Sequence, residues 1–261
     1  MSEARDYPRR KYGVNYLRLV LCQIQFPILM RFEEPSFLAL LQDTLRAEYP
    51  RVLQEQQVAV VMGAGGMPTS MPAGIQWRYK SRDGDWSVVL QRNSAGLETT
   101  RYDDYEAFER RLGELLSALA KLEITVCERL GLRYINELEH DEGRRPSDWK
   151  HLLREDLLGM ASEEFLEGGD LVHAVQDIRT ARGDQTLVVR HGYVSGRDEV
   201  NRRQPYYLLD LDHFRQGLRD FEEEALLRES RAFHEVISRV FEMTLQPNMR
   251  EQMRDEGPVD A

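Results

Sequence analysis

Cysteine is almost missing from this chain. Cys22 and Cys127 are its only two in 261 residues. They stand in apolar segments with no metal-site spacing and no secretory context, which excludes a disulfide framework and predicts buried free thiols in a reducing, cytoplasmic compartment. Long apolar runs are missing too. None approaches the roughly 20 residues of a membrane-spanning helix, and the charged stretch from Met1 to Lys11 leads into no signal-type apolar core, so no membrane partner is expected. Positive charge is in deficit, with 35 Lys and Arg against 45 Asp and Glu and a net charge of -10. That balance disfavours indiscriminate binding to phosphate backbones.

Catalytic signatures are equally scarce. Gly63-Ala64-Gly65-Gly66 offers bare backbone amides, but Met67-Pro68-Thr69-Ser70-Met71-Pro72 follows it where a phosphate loop needs Lys and Ser or Thr entering a helix. The six histidines include no helical pair of the zinc-protease kind, and Gly-x-Ser-x-Gly is absent. If Gly183-Asp184 is a two-residue turn, His173 lies opposite Val194 and His191 opposite Gln176, on opposite faces. Asp210 and Asp212 stand two apart on a strand and share a face that could hold a divalent cation, yet Asp212 is equally placed to cap the next segment. No catalytic residue, cofactor or metal is assigned.

What is present is a pattern written twice. Leu17 to Phe26 and Arg129 to Leu138 both read as strands, and each leads into a helix, with Phe37, Leu40, Leu41 and Leu45 on one face of the first and Trp149, Leu152, Leu153 and Leu157 on the second. The first helix spans about Pro35 to Tyr49, with Pro50 as its stop. Val58 to Met62 is a short strand before a Gly/Pro/Met-rich loop from Gly63 to Gly74. Ile75 to Lys80 and Trp86 to Gln91 form a hairpin about Asp83-Gly84, and Gly96 to Arg101 adds a strand. Asp103 or Asp104 then caps a long helix with a stripe of Phe108, Leu112, Leu115, Leu116, Leu119 and Leu122. In the second half, Leu171 to Thr180 and Thr186 to Val194 make the matching hairpin. A charged insertion from Ser195 to Pro205, a strand over Tyr206 to Asp212 and a final helix carrying Leu226, Phe233, Ile237, Val240 and Phe241 follow.

The expected fold is therefore α+β. Two tandem halves, 1–126 and 127–245, each strand, helix, antiparallel strands, helix, join into one curved antiparallel sheet covered by long helices, with 246–261 as a polar C-terminal tail. The element order resembles the pseudo-symmetric saddle of the TATA-box-binding protein fold, an analogy of topology that carries no function. A helix-grip cup around a cavity is the competing arrangement.

Two polar groups stand out. Alternation puts Arg129 and Arg133 on one strand face and Tyr134 and Asn136 on the other. An arginine between apolar residues needs a carboxylate or an anion, the simpler reading being an internal ion pair. Trp77, Tyr79 and Trp86 form either an aromatic surface or core packing against the long helix. Taken with Cys22-Gln23-Ile24-Gln25-Phe26-Pro27, Tyr105-Glu106-Ala107-Phe108, Leu209-Asp210-Leu211-Asp212 and the final helix with His234 and Phe241-Glu242, the strand Gly131-Leu132-Arg133-Tyr134-Ile135-Asn136 resembles a sporadically distributed prokaryotic protein family of unknown function. The likeness spans most of the chain. It implies no activity, and its patchy distribution fits accessory, toxin-antitoxin or defence-associated genes.

The leading expectation is a non-catalytic interaction or regulatory module with a protein partner, in which Arg129, Arg133, Tyr134, Asn136, Asp210 and Asp212 are the candidate contacts. A second reading is nucleic-acid binding through Arg179, Arg182, Arg190, Arg197, Arg202 and Arg203 around the second hairpin. A third is an enzyme or small-ligand binder with a pocket between sheet and helix.

Overall fold

A computed structural model describes residues 7–62, 68–141, 143–163, 170–195 and 205–258. In chain order, the first elements are β1 (Arg10–Tyr12), β2 (Leu17–Gln25), α1 (Pro35–Leu45), β3 (Arg51–Met62), β4 (Pro68–Lys80), β5 (Trp86–Gln91), β6 (Ser94–Thr99) and α2 (Tyr105–Lys121). There follow β7 (Val126–Glu139), β8 (His173–Arg182), β9 (Gln185–Val194), β10 (Tyr206–Asp220), α3 (Glu223–Thr244), α4 (Pro247–Gln252) and β11 (Asp255–Pro258). Nine strands form a sheet in the order β3-β4-β5-β6-β2-β7-β10-β9-β8, and β1 pairs with β11 in a separate ribbon. The pairings β3–β4, β4–β5, β5–β6 and β8–β9 are antiparallel. The class is α+β with a large antiparallel sheet, as the alternating strand patterns and two amphipathic helices lead one to expect.

Packing divides the chain into two compact units. One joins Leu21–Gly131 to Arg215–Ser230, and the other takes in the remaining described residues. The expected halves are a division by sequence repeat, whereas these units are a division by packing, and each unit draws on both halves.

In the first unit the apolar stripe of α2 is buried throughout, including Phe108, Leu112, Leu116 and Leu119, and so are Cys22, Ile24 and Leu97. Asp104 is the residue that caps α2, its carboxylate accepting the Ala107 N–H at 2.7 Å. That bond supplies one of the donors a helix start leaves open. Helix α1 ends at Leu45, short of the expected Tyr49, and buries Phe37, Leu41 and Leu45 while Leu40 is exposed. A face of i, i+4 steps accounts for the difference, because Leu40 lies to its side. The loop expected from Gly63 to Gly74 is shorter than that: β3 and β4 pair from Arg51↔Lys80 out to Met62↔Pro68, and 63–67 lie outside the described residues. The hairpin about Asp83-Gly84 is present, with Gly84 at φ +88. Tyr79 and Trp86 are core residues and Trp77 is half-buried, which favours packing over an aromatic surface.

In the second unit, Trp149, Leu152, Leu153 and Leu158 pack with Leu138, Tyr193, Tyr207, Leu245, Met249 and Met253. The second helix of the repeat does not form there. Pro146–His151, Glu155–Leu157 and Gly159–Ser162 are short 3-10 turns instead. After a turn closed by the Leu152 and Leu153 amides on Trp149 O, the backbone bonds outward: Arg154 N–H donates to Thr244 O at 3.0 Å and Gln246 N–H to Leu152 O at 2.9 Å, and the Gln246 side chain donates to Leu153 O. The segment expected as a polar C-terminal tail contains regular structure. Residues 247–258 supply α4 and β11, and Met249 and Met253 are buried.

Candidate functional site

In the second unit, β7 alternates from Leu132 onward between buried residues at even positions and half-exposed ones at odd positions. The even set points into the interior, where Tyr134 meets α3. Tyr134 Oη lies 2.8 Å from His234 Nδ1, and Asn136 Nδ2 donates to Leu209 O at 3.0 Å. Both side chains hold the interior together. Arg9 donates to His234 Nε2 at 3.2 Å. A guanidinium only donates, so Nε2 keeps its lone pair and the proton sits on Nδ1, directed at Tyr134. Burial, with the cations Arg9 and Arg231 adding to it, depresses the His234 pKa to about 3. This histidine is neutral and structural.

The odd set opens onto the other face. There Arg133 forks onto Asp210, Nε to Oδ1 at 2.7 Å and a terminal nitrogen to Oδ2 at 2.6 Å. Arg190 on β9 reaches the same Oδ2 at 2.8 Å and, with its other arm, Asp177 on β8 at 3.0 Å. Arg179 completes the row by donating to Asp177 Oδ1 at 3.0 Å. Charges of alternating sign thus cross β7, β10, β9 and β8. The hydrogen bond to Asp210 leads the effects that raise the Arg133 pKa, and those from Arg179 and then Arg190 hold the Asp177 carboxyl below its ordinary range.

This arrangement decides what the row can do. Asp210 is 4% exposed and accepts three guanidinium bonds, so a cation there would meet two fixed positive neighbours. Asp212, on the same face by alternation, is half-buried. Arg129 belongs to the first unit, where its guanidinium lies 2.6 to 2.9 Å from the place a Cβ on Gly131 would occupy and a terminal nitrogen donates to Gln23 Oε1 at 3.3 Å. Of the six nominated contacts, Arg133 and Asp210 are in direct contact, while Tyr134 and Asn136 point away from them.

Among the arginines nominated for nucleic acid, Arg179 and Arg190 are already engaged by carboxylates, and Arg182 ends β8 exposed. Arg197, Arg202 and Arg203 lie outside the described residues. Asp177, which lies between Arg179 and Arg190, is absent from the nominated residues, which on this hairpin are all basic.

β8 itself is the other notable feature. It pairs with β9 without a bulge from His173↔Val194 to Arg182↔Gln185, the register that the Gly183-Asp184 turn implies, and among the described residues it ends the sheet. Residues flanking a two-residue turn exchange both backbone bonds. Arg182, Thr180, Ile178 and Gln176 therefore turn their amides toward β9, and Ala181, Arg179, Asp177 and Val175 turn theirs outward.

A cavity of about 300 Å³ lies beside this hairpin, lined by Leu157, Leu158, Met160, Leu171, His191 and Tyr207 among others. Tyr207 Oη is 3.2 Å from Leu157 O, which can only accept, and 2.8 Å from His191 Nδ1. Tyr207 therefore donates to the carbonyl, His191 Nδ1–H donates to Tyr207, and Nε2 carries a lone pair with no partner. Burial lowers the His191 pKa. Sequence spacing gave no hint of this pair.

Comparison with known protein families and with curated proteins returned no match for this chain.

Proposed function

We propose that the chain is a non-catalytic binding protein that takes up an extended strand of a protein partner along the outer edge of β8. One observation carries this: β8 is a ten-residue regular strand bonded on one side only among the described residues, with the outward amides and carbonyls of Val175, Asp177, Arg179 and Ala181 in register for a further strand. Strand addition draws its affinity from such main-chain bonds and its specificity from alternate side chains. The charge row supports a recognition role over a catalytic one, since its carboxylates and guanidiniums are paired with each other. The same pairing weighs against a phosphate-driven mode.

Ala181→Pro tests the reading. Proline at an outward-facing edge position removes a donor from the added strand and none from the β8–β9 ladder. The tagged chain is isolated from its native host, co-eluting protein is identified by mass spectrometry, and the variant is treated alike. The variant is expected to keep its fold and lose the co-eluting chain. Retention of that chain at wild-type stoichiometry overturns the proposal.

The finer architecture is read as a duplication. What supports this is the strand order, in which the last strand of each half, β6 or β10, returns beside its first, β2 or β7, and the earlier strands fan outward as β3-β4-β5 and β9-β8. The 3-10 turns in place of a second short helix are the main departure.

A second reading rests on the His191 cavity, which suits a small, largely apolar molecule with one hydrogen-bond donor. Phenol as a probe is expected to raise the thermal midpoint of the wild type and leave His191→Phe unmoved. Equal shifts remove this reading.

A further inference from the structure

We propose that the strand added at β8 is the β8 of a second copy of this chain, related by a two-fold axis through Ile178. The inference rests on the strand-addition reading and goes on to name its partner and register.

Backbone parity limits the choices. Outward residues are odd-numbered, so in an antiparallel pair of β8 edges odd positions must oppose odd positions and even oppose even. A two-fold axis then passes through a residue. Centred on Asp177 it sets two carboxylates directly opposite each other, and centred on Arg179 it sets two guanidiniums opposite each other; like charges in that position are destabilising. Centred on Gln176 it leaves Asp177 facing Val175, and centred on Thr180 it leaves Arg179 facing Ala181. Only the axis through Ile178 sets Asp177 against Arg179 of the second copy and, by symmetry, Arg179 against its Asp177.

The other positions agree with this register. Ala181 faces Val175, Gln176 faces Thr180, and Ile178, which is 46% exposed, faces its own copy in a pair without mutual hydrogen bonds, where side chains approach most closely. Each odd-numbered pair exchanges two backbone bonds. Such an isologous contact closes on itself and removes the open edge. The charges that would blunt β8 against a random strand are complementary to β8 itself.

The register has a covalent test. Opposed residues in a non-hydrogen-bonded pair lie about 4.5 Å apart at Cα, within the span a disulfide bridges, and the native cysteines are both buried. In the 261-residue chain, mild oxidation of Ile178→Cys is expected to give a covalent dimer. Gln176→Cys or Thr180→Cys alone is expected to give none, whereas an equimolar mixture of those two does. Sedimentation of the unmodified chain is expected to show a dimer with slowed amide exchange at Asp177, Arg179 and Ala181, and Ile178→Lys is expected to weaken it by about tenfold or more.

A monomer at all concentrations, with those amides exchanging freely in the pure protein, overturns self-pairing. If they become protected only alongside a different chain from the host, strand addition stands without self-pairing; if they are protected in neither state, both proposals fall. A dimer in which Thr180→Cys cross-links alone as fast as Ile178→Cys overturns the register.

Discussion

Arg133 and Asp210 form a two-pronged pair in which the carboxylate is almost fully enclosed and the arginine is about one-third exposed. The asymmetry predicts unequal costs. Asp210→Asn leaves Arg133 and Arg190 facing a neutral amide and should destabilise the fold by about 2–4 kcal/mol. Arg133→Gln removes one guanidinium while Asp210 keeps Arg190, so it should cost about half as much. Urea unfolding of both variants checks this, and equal costs would show that Arg190 does not share the carboxylate.

His234 predicts a pH dependence. Its folded pKa lies near 3 against an ordinary 6.5, so below pH 6.5 the unfolded chain takes up a proton that the folded chain refuses. The stability this group contributes is fully present above pH 6.5 and is lost progressively as pH falls toward 3. Between pH 7 and pH 4.5 the loss should be ~2.5 kcal/mol. His234→Asn retains an acceptor for Arg9 and a donor for Tyr134 without titrating in this range. Its stability should therefore fall by that much less over the same interval, and parallel curves for variant and wild type would place the cause elsewhere.

The signals that could be read directly from the sequence were local. The Gly183-Asp184 turn set the register of β8 on β9, the pair Asp103-Asp104 announced the start of α2, and the alternation in β7 separated Arg133 from Tyr134 and Asn136. Each depends on neighbours within a few residues. What could not be read depended on distant pairing. Trp149, Leu152 and Leu153 carry helical spacing, and they are buried as that spacing suggests, but after one turn closed on Trp149 O the backbone at Leu152 and Arg154 bonds to Gln246 and Thr244 instead of continuing as a helix. The Arg133–Asp210 contact joins residues 77 apart, and a lone arginine on a strand says only that some carboxylate is needed. His191 needed both Tyr207 and the Leu157 carbonyl before its lone pair could be assigned.

Asp104→Ala should cost about 1 kcal/mol, because the Ala107 N–H loses its acceptor at the start of α2. Asp104→Asn should stay within a few tenths of the wild type, since the side-chain oxygen remains. Chemical unfolding of the pair separates the cap from the charge: a large loss in the Asn variant would mean that the carboxylate acts through the helix dipole rather than the hydrogen bond.

Gly192 is where the β8–β9 hairpin tolerates no side chain. A Cβ built there would lie 1.9 Å from Ala174 O and 2.7 Å from Val175 Cα, and both are backbone atoms of the paired strand that no rotamer change can move. Gly192 also sits at φ +156, at the margin of what other residues adopt. Gly192→Ala must therefore open the ladder at its far end, and it should destabilise the fold by about 3 kcal/mol or more. The turn end should survive, because the register between Ile178 and Arg182 is set by Gly183-Asp184. Amide exchange resolves the two ends: protection lost at Ala174 and Gln176 with protection kept at Ile178 and Thr180 is the expected pattern, and uniform protection with an unchanged thermal midpoint would show that the strands do not approach this closely.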